Sequence, residues 1–228
     1  MYRIETHLHT TYISRCGWLG AEAIMKYYTA CGYDAICVTD HYNRECFDYA
    51  EIDLTTPGSK TQAFLLGYHR LKREAEKYNI RVYAGAELRF DESDNDYLLY
   101  GFHDALLADP DRVMREGLAA FAPQYRADGA LLVQAHPFRK KCTPAPAEYL
   151  DGIEVLNLNP RHDSHNDLAL AYAKEHHLIM TAGSDCHRPG DQGTTGILSD
   201  TLPEDSFGLA DLLRSGNYTI IHPECTED

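Results

Sequence analysis

At 228 residues, with 44% hydrophobic and 25% charged positions, the chain has the make-up of a soluble globular protein, expected as a single catalytic domain over residues 1–228. A formal net charge of −14 excludes a nonspecific nucleic-acid binder, so no long nucleic acid is expected as a partner. The apolar runs fall far short of a membrane span and no secretory signal opens the chain, so a cytoplasmic protein is expected.

The first predicted element is a short strand ending in His7-Leu8-His9. Side chains alternate along a strand, so both imidazoles point the same way and supply half of a transition-metal site. A polar loop from Thr10 to Gly20 leads to a helix over Ala21–Cys31, with Gly32 placed to end it. Tyr33 to Thr39 is an apolar run suited to a strand buried on both faces, and it ends at Asp40-His41. Asn43 to Lys60 reads as an excursion with a turn at Pro57-Gly58.

A helix over Gln62–Tyr78 precedes a strand over 81–86 that ends at Glu87. A turn near Asp91–Asn95 opens a strand over 97–102, followed by His103. A helix over Pro110–Pro123 and a strand over 130–135 lead to His136-Pro137-Phe138-Arg139. A strand over 152–156 opens into a polar loop that carries Arg161, and His162 and His165 flank that loop within reach of a substrate. After a helix around 169–173, a strand over 178–183 ends at Ser184-Asp185-Cys186-His187. A last helix near 207–214 and a short strand over 218–221 close the chain. Alternating strands and helices predict a parallel α/β barrel, with a doubly wound open sheet as the alternative. In both, ligands gather at the carboxyl ends of the strands.

The polar chemistry collects at those ends: His7, His9, Asp40, His41, Glu87, His103, His136, Asp185 and His187. A lone catalytic zinc needs three protein ligands, so this many candidates point to two or three divalent cations, Zn, Mn or Fe, with Glu87 shared between two. Such a cluster acidifies water and clamps phosphate oxygens, which suits phosphate-ester hydrolysis. Arg139 and Arg161 are candidate phosphate clamps. Asp40, His41 and His187 are candidates for proton transfer. Seven cysteines in no Cys-x-x-Cys pair fit a reducing compartment, with Cys31, Cys37 and Cys186 expected as packing residues.

These motifs, in this order and over nearly the whole chain, resemble the PHP (polymerase and histidinol phosphatase) domain family. The resemblance implies a distorted seven-stranded (β/α)7 barrel with metals at the strand ends. It implies one metal on His7, His9, Glu87 and Asp185, a second on Glu87 and His136 with one further ligand, and a third on His41 and His187. Two departures stand out. The family's acidic or histidine ligand a few residues after His9 is replaced by the stretch Tyr12-Ile13-Ser14-Arg15-Cys16, where Cys16 reads as a buried thiol, with ligation as a thiolate the alternative. The family's histidine between Glu87 and His136 has only His103 as a match, with Asp96 as the fallback. The expected function is metal-dependent hydrolysis of a small phosphomonoester, such as histidinol phosphate or a nucleotide bisphosphate. An amidohydrolase-like enzyme and a non-catalytic metal-sensing or polymerase-accessory module are the alternatives.

Overall fold

The computed structural model describes residues 1–54 and 60–223. The expected turn at Pro57-Gly58 and Cys225 lie outside the described residues. In chain order the strands and α-helices are β1 (Tyr2–Leu8), α1 (Ala21–Ala30), β2 (Ala35–Val38), β3 (His41–Tyr42), α2 (Arg44–Tyr49), α3 (Thr61–Phe64) and α4 (Leu66–Glu74). Then come β4 (Arg81–Arg89), β5 (Asp96–Tyr100), α5 (Pro110–Asp128), β6 (Leu131–Gln134), β7 (Gly152–Asn157), α6 (Asn166–His176), β8 (Ile179–Gly183), β9 (Gly196–Ser199), α7 (Ser206–Ser215) and β10 (Thr219–Ile221). No helix among the described residues is long and apolar enough to cross a membrane.

The sheet runs β10-β9-β1-β2-β4-β5-β6-β7-β8, with β3 paired to β4, and curls into a nearly closed barrel. The central strands are buried almost throughout, which is why Ala35–Val38 and Leu131–Val133 read as continuous apolar runs. Tyr28, Tyr83 and Tyr100 are fully buried, and each finds a partner for its hydroxyl, as burial requires.

Two strands depart from the parallel expectation: β9, which runs antiparallel to β1 and β10, and β5, which bears on the site. β5 runs antiparallel to both β4 and β6, with Arg89 opposite Asp96 and Gly85 opposite Tyr100. Residues 90–95 alone connect β4 to β5, and so short a link makes a hairpin; a parallel crossover needs about a dozen residues. The reversal moves two residues. Asp96, at the start of β5, lies on the rim with Glu87, while His103, beyond the end of β5, lies at the opposite end of the barrel.

α5 also runs further than expected, to Asp128, where Gly129 in the left-handed region caps it. It is broken at Gly117, whose φ of 79° lets the Glu92 carboxylate accept from the Leu118 N–H.

The barrel closes imperfectly between β1 and β8. β1 spends Tyr2–Ile4 on β9 and meets the extension of β8 only where Leu8 bridges Cys186. Between those points the fully buried Glu5 carboxylate fills the seam. It accepts from the backbone N–H groups of Thr6, His7 and Ser184 and from the hydroxyls of Tyr28 and Ser184. Burial pushes the Glu5 carboxyl up, opposed by these hydrogen bonds.

Gly183 is the other device at the seam. A Cβ there would stand 2.3 Å from the His7 Cβ and 2.9 Å from a Glu154 oxygen, closer than atoms can pack. Gly183→Ala must push β8 away from β1. It is expected to cost about 2–3 kcal/mol, a fall of about 5–10 °C in Tm for a chain of this size, read by thermal denaturation. An unchanged Tm would show that the seam is looser than described.

Candidate metal centre

The strand ends converge on a cavity of about 450 Å³ whose wall includes Cys16, His41, Asp96, His136, Asp185 and His187. His7 and His9 leave β1 side by side, with their Nε2 atoms 3.1 Å apart. Both rings are fully buried. Glu87, near the end of β4, divides its two oxygens between neighbours. Oε1 lies 3.1 Å from His136 Nε2 and 3.4 Å from His7 Nε2, while Oε2 lies 2.7 Å from His41 Nδ1 and 3.3 Å from His9 Nε2. Asp185 Oδ1 faces His7, His9 and His187 at 3.5, 3.3 and 3.2 Å.

Donor atoms therefore cluster in four overlapping groups, each spanning less than 4.8 Å: His7, His9 and Asp185; His7, Glu87 and His136; His41, Glu87 and Asp96; His9, His41 and His187. Several of these atoms approach closely without hydrogen-bond geometry. His41 Nδ1, Glu87 Oε2 and His136 Nδ1 are buried without a hydrogen-bond partner, although the first two are only 2.7 Å apart. Buried polar atoms are normally satisfied. A set of imidazoles and carboxylates aimed at common points, with lone pairs unused, fits divalent cations.

The electrostatics agree. Burial pushes the Glu87 and Asp185 carboxyls up, but the facing histidines outweigh it and hold both well below the usual carboxylate range. Burial pushes His7 and His41 down, and the carboxylates around them reverse this and raise both well above the ordinary histidine value. Burial pushes His136 and His187 down as well, and both are brought up to about 9, His136 by the Cys142 thiol and Glu87, His187 by Asp185 and the Cys16 thiol. His9 goes the other way. Burial, with His187 and His41 beside it, holds it well below its ordinary value; its ring is stacked between theirs at 4.2 and 4.3 Å.

The backbone is strained at two donors. His136 has φ 28° and Asp185 φ 51°, and such conformations cost about 1–3 kcal/mol each and persist where surroundings over-determine them. Part of that support is Glu154, buried on β7, which had no place among the sequence candidates. It accepts from the His136 N–H at 3.0 Å and from Asn157 at 2.9 Å, and holds His7 Nδ1 at 2.9 Å. A carboxylate on the far nitrogen fixes the tautomer and aims Nε2 into the cavity. Glu154→Gln is expected to weaken metal affinity about 10–100-fold while the fold persists, read by metal titration beside circular dichroism. Unchanged affinity would remove Glu154 from this role.

The remaining sequence candidates divide. His103 is a correction: it is 65% exposed at the other end of the barrel, paired with Asp128, because β5 is reversed. Asp96 takes the place on the rim, its carboxylate gripped by Arg89. Asp40 is also a correction. It does not line the cavity, and its oxygens accept from the Thr10 N–H and hydroxyl and from the Ser14 hydroxyl. Ser14 Oγ in turn lies 3.3 Å from His9 Nδ1, so Asp40 positions His9. Burial pushes the Asp40 carboxyl up to about 6, against these hydrogen bonds.

Arg139 and Arg161 both line the cavity but are engaged. Arg139 donates to Asp185 Oδ2 at 2.8 Å and to Asn157 at 2.7 Å, while its Nε is buried and unpartnered. Arg161 grips both oxygens of Asp191, which accepts from the His187 and Arg188 N–H groups. His162 lines the cavity, whereas His165 turns out to pair with Asp163. Cys37 and Cys186 are buried as expected and Cys31 is half-buried. Cys16, expected buried, is exposed on the cavity wall, which it shares with His187 and His41. Burial pushes that thiol up, but the two rings outweigh it and bring it down to about 6.

A barrel with carboxylates and histidines gathered on one rim defines a candidate metal centre. The family is specific: the PHP domain model matches residues 5–188 and a PHP-associated model matches residues 163–215, so the chain belongs to the PHP domain family. No curated protein matches it by sequence. Among solved structures it is similar to a two-domain protein from Bacteroides vulgatus described as containing a predicted PHP-like metal-dependent phosphoesterase. The TM-score is 0.69 at 16% identity over 98% of this chain, which spans 65% of that protein's length. PsfC from Pseudomonas syringae aligns at TM-score 0.66 and 20% identity, covering 98% of this chain and 93% of PsfC. An amidohydrolase from Chromobacterium violaceum, with bound sulfate and no metal, aligns at TM-score 0.51 and 15% identity, covering 99% of this chain and all of that one. At these identities the likeness is one of fold. It is the fold of PHP-like metal-dependent phosphoesterases.

Proposed function

We propose that the chain hydrolyses a small phosphomonoester with the help of two or three divalent cations held by His7, His9, His41, Glu87, Asp96, His136, Asp185 and His187. The observation that carries this reading is the charge of the cavity wall. In a protein of net charge −14, Arg89, Arg139, Lys140, Lys141, Arg161 and Arg188 all line the one cavity into which the donors point. Lys140 and Lys141 are exposed and form no ion pair among the described residues, so they are available to draw in an anion.

Divalent cations at these donors would acidify water and polarise phosphoryl oxygens. The chain's own residues do the rest. Glu154, Arg139 and the Asp40–Ser14 pair hold His7, Asp185 and His9 in register. The cationic wall orients the phosphate. His162, the wall histidine outside the donor groups, is kept below its ordinary value by burial and by Arg139, so it is neutral at pH 7 and placed to exchange a proton with the ester. This gives it the role first expected of Asp40.

An amide-hydrolysing reading shares the donor set, and Arg139 does not separate the two, because Arg139→Ala would loosen Asp185 whatever the substrate. Substrate turnover does. Purified protein with added manganese should release phosphate from small phosphomonoesters, histidinol phosphate and a nucleoside 3′,5′-bisphosphate being the first to try, and leave amides intact. Turnover confined to amides would replace this reading with the amidohydrolase one.

A further inference from the structure

The loop after β1 carries a feature the donor groups above do not use. Cys16 lines the same cavity wall as His41 and His187. The loop is firmly built. The Trp18 N–H donates to the His187 carbonyl at 2.8 Å, the Gly17 N–H to the Ser14 carbonyl at 2.9 Å, and the His41 N–H to Ser14 Oγ at 3.0 Å. At Gly17 a Cβ would stand 2.5 Å from the Thr10 carbonyl oxygen, so only glycine lets the loop fold this tightly behind Cys16.

His41 and His187 need further donors. The third histidine of their group, His9, turns its Nε2 toward His7, Glu87 and Asp185 at 3.1–3.3 Å. The neighbouring Asp40 is spent on Thr10 and Ser14. Glu87 Oε2, fully buried and without a hydrogen-bond partner, points at His41 Nδ1 from the far side. On the near side the wall offers Cys16.

We infer that Cys16 is a sulfur ligand, supplying a thiolate to a divalent cation that it shares with His41 and His187; this rests on the metal centre proposed above. Two imidazoles, one thiolate and an open position make a soft donor set that selects zinc over manganese. The groups built from His7, His136, Asp96, Asp185 and Glu87 are harder, combining imidazole with carboxylate, and suit manganese or iron. The two ends of the cavity would then prefer different metals, and a preparation loaded with manganese alone would leave the Cys16 position underfilled.

The test is cobalt substitution, which reports on sulfur ligation without any assay of activity. The full chain is stripped with a chelator and titrated with Co²⁺ while its absorption is followed. A sulfur-to-cobalt charge-transfer band in the near ultraviolet is expected in the wild type. Cys16→Ala should lose the band and bind about one cobalt fewer per chain. Cys16→Asp, which returns a donor of similar reach, should recover the stoichiometry without the band. Cys142→Ala, which removes the other thiol of the cavity wall, should keep both. A wild-type chain that takes up cobalt fully without the band, or a band that survives Cys16→Ala, overturns the assignment and leaves the phosphoesterase reading standing. Failure of the wild type to take up cobalt at all overturns both.

Discussion

Glu87→Gln is expected to abolish turnover, with a fall of more than about 10³-fold, beyond the 10²–10³ typical of losing one preorganised electrostatic donor. The reason is the division of its carboxylate: Oε1 serves the His7–His136 side and Oε2 the His9–His41 side. An amide of the same shape keeps one neutral oxygen and cannot supply negative charge to both. Two donor groups are therefore weakened by one substitution, and metal content should fall by more than one equivalent per chain. Metal analysis and kcat measured on the same preparation check this. Unchanged metal content with less than a tenfold loss of rate would show that Glu87 is not the shared donor.

Metal affinity should climb steeply with pH. In the metal-free chain burial works against charge on the histidines, yet carboxylate neighbours and hydrogen bonds leave His136 and His187 at about 9 and raise His7 and His41 well above their ordinary value. At neutral pH these rings hold protons, and a cation needs their lone pairs, so binding must expel the protons. Each proton expelled adds a factor of ten in affinity per pH unit. With two or more displaced, affinity should rise about a hundredfold or more per unit across neutral pH. His9, already neutral, adds nothing to the slope. Titrating manganese into metal-free protein between about pH 6 and 8, with proton release followed directly, measures it. An affinity independent of pH would mean that the rings do not ligate.

The rim was legible in the sequence because strand ends announce themselves. Asp40-His41, Glu87, His136-Pro137 and Asp185-Cys186-His187 each follow a largely apolar run of strand length, His7-Leu8-His9 ends an alternating one, and every histidine and carboxylate among them but Asp40 reaches the donor cluster. What was not legible depends on direction and depth. The pattern of a buried strand is the same read in either sense, so nothing local to Tyr97–Tyr100 showed that β5 runs backwards; only the short link at residues 90–95 carried that information. That single reversal exchanged Asp96 for His103.

Glu154 and Glu5 were missed because a carboxylate within a strand reads as a solvent-facing residue. Both are fully buried. A signal was available only for Glu154, which sits between Ile153 and Val155 with no charged neighbour on β7 to mark an exposed face. Arg139 and Arg161 were found, but their present partners, Asp185 and Asp191, are distant in sequence and are revealed only by the fold.

The most direct measurement of the central claim is metal content and phosphomonoester turnover on one chelator-free preparation, compared between wild type and His9→Ala. His9 faces Glu87 and Asp185 and stacks between His41 and His187, so its loss touches every part of the donor set. Two or three divalent cations per wild-type chain are expected, with phosphate release that His9→Ala abolishes along with part of the metal. A wild-type chain that is folded, carries a full complement of cations and turns over no phosphoester would contradict the account and point to a metal site that serves structure or sensing.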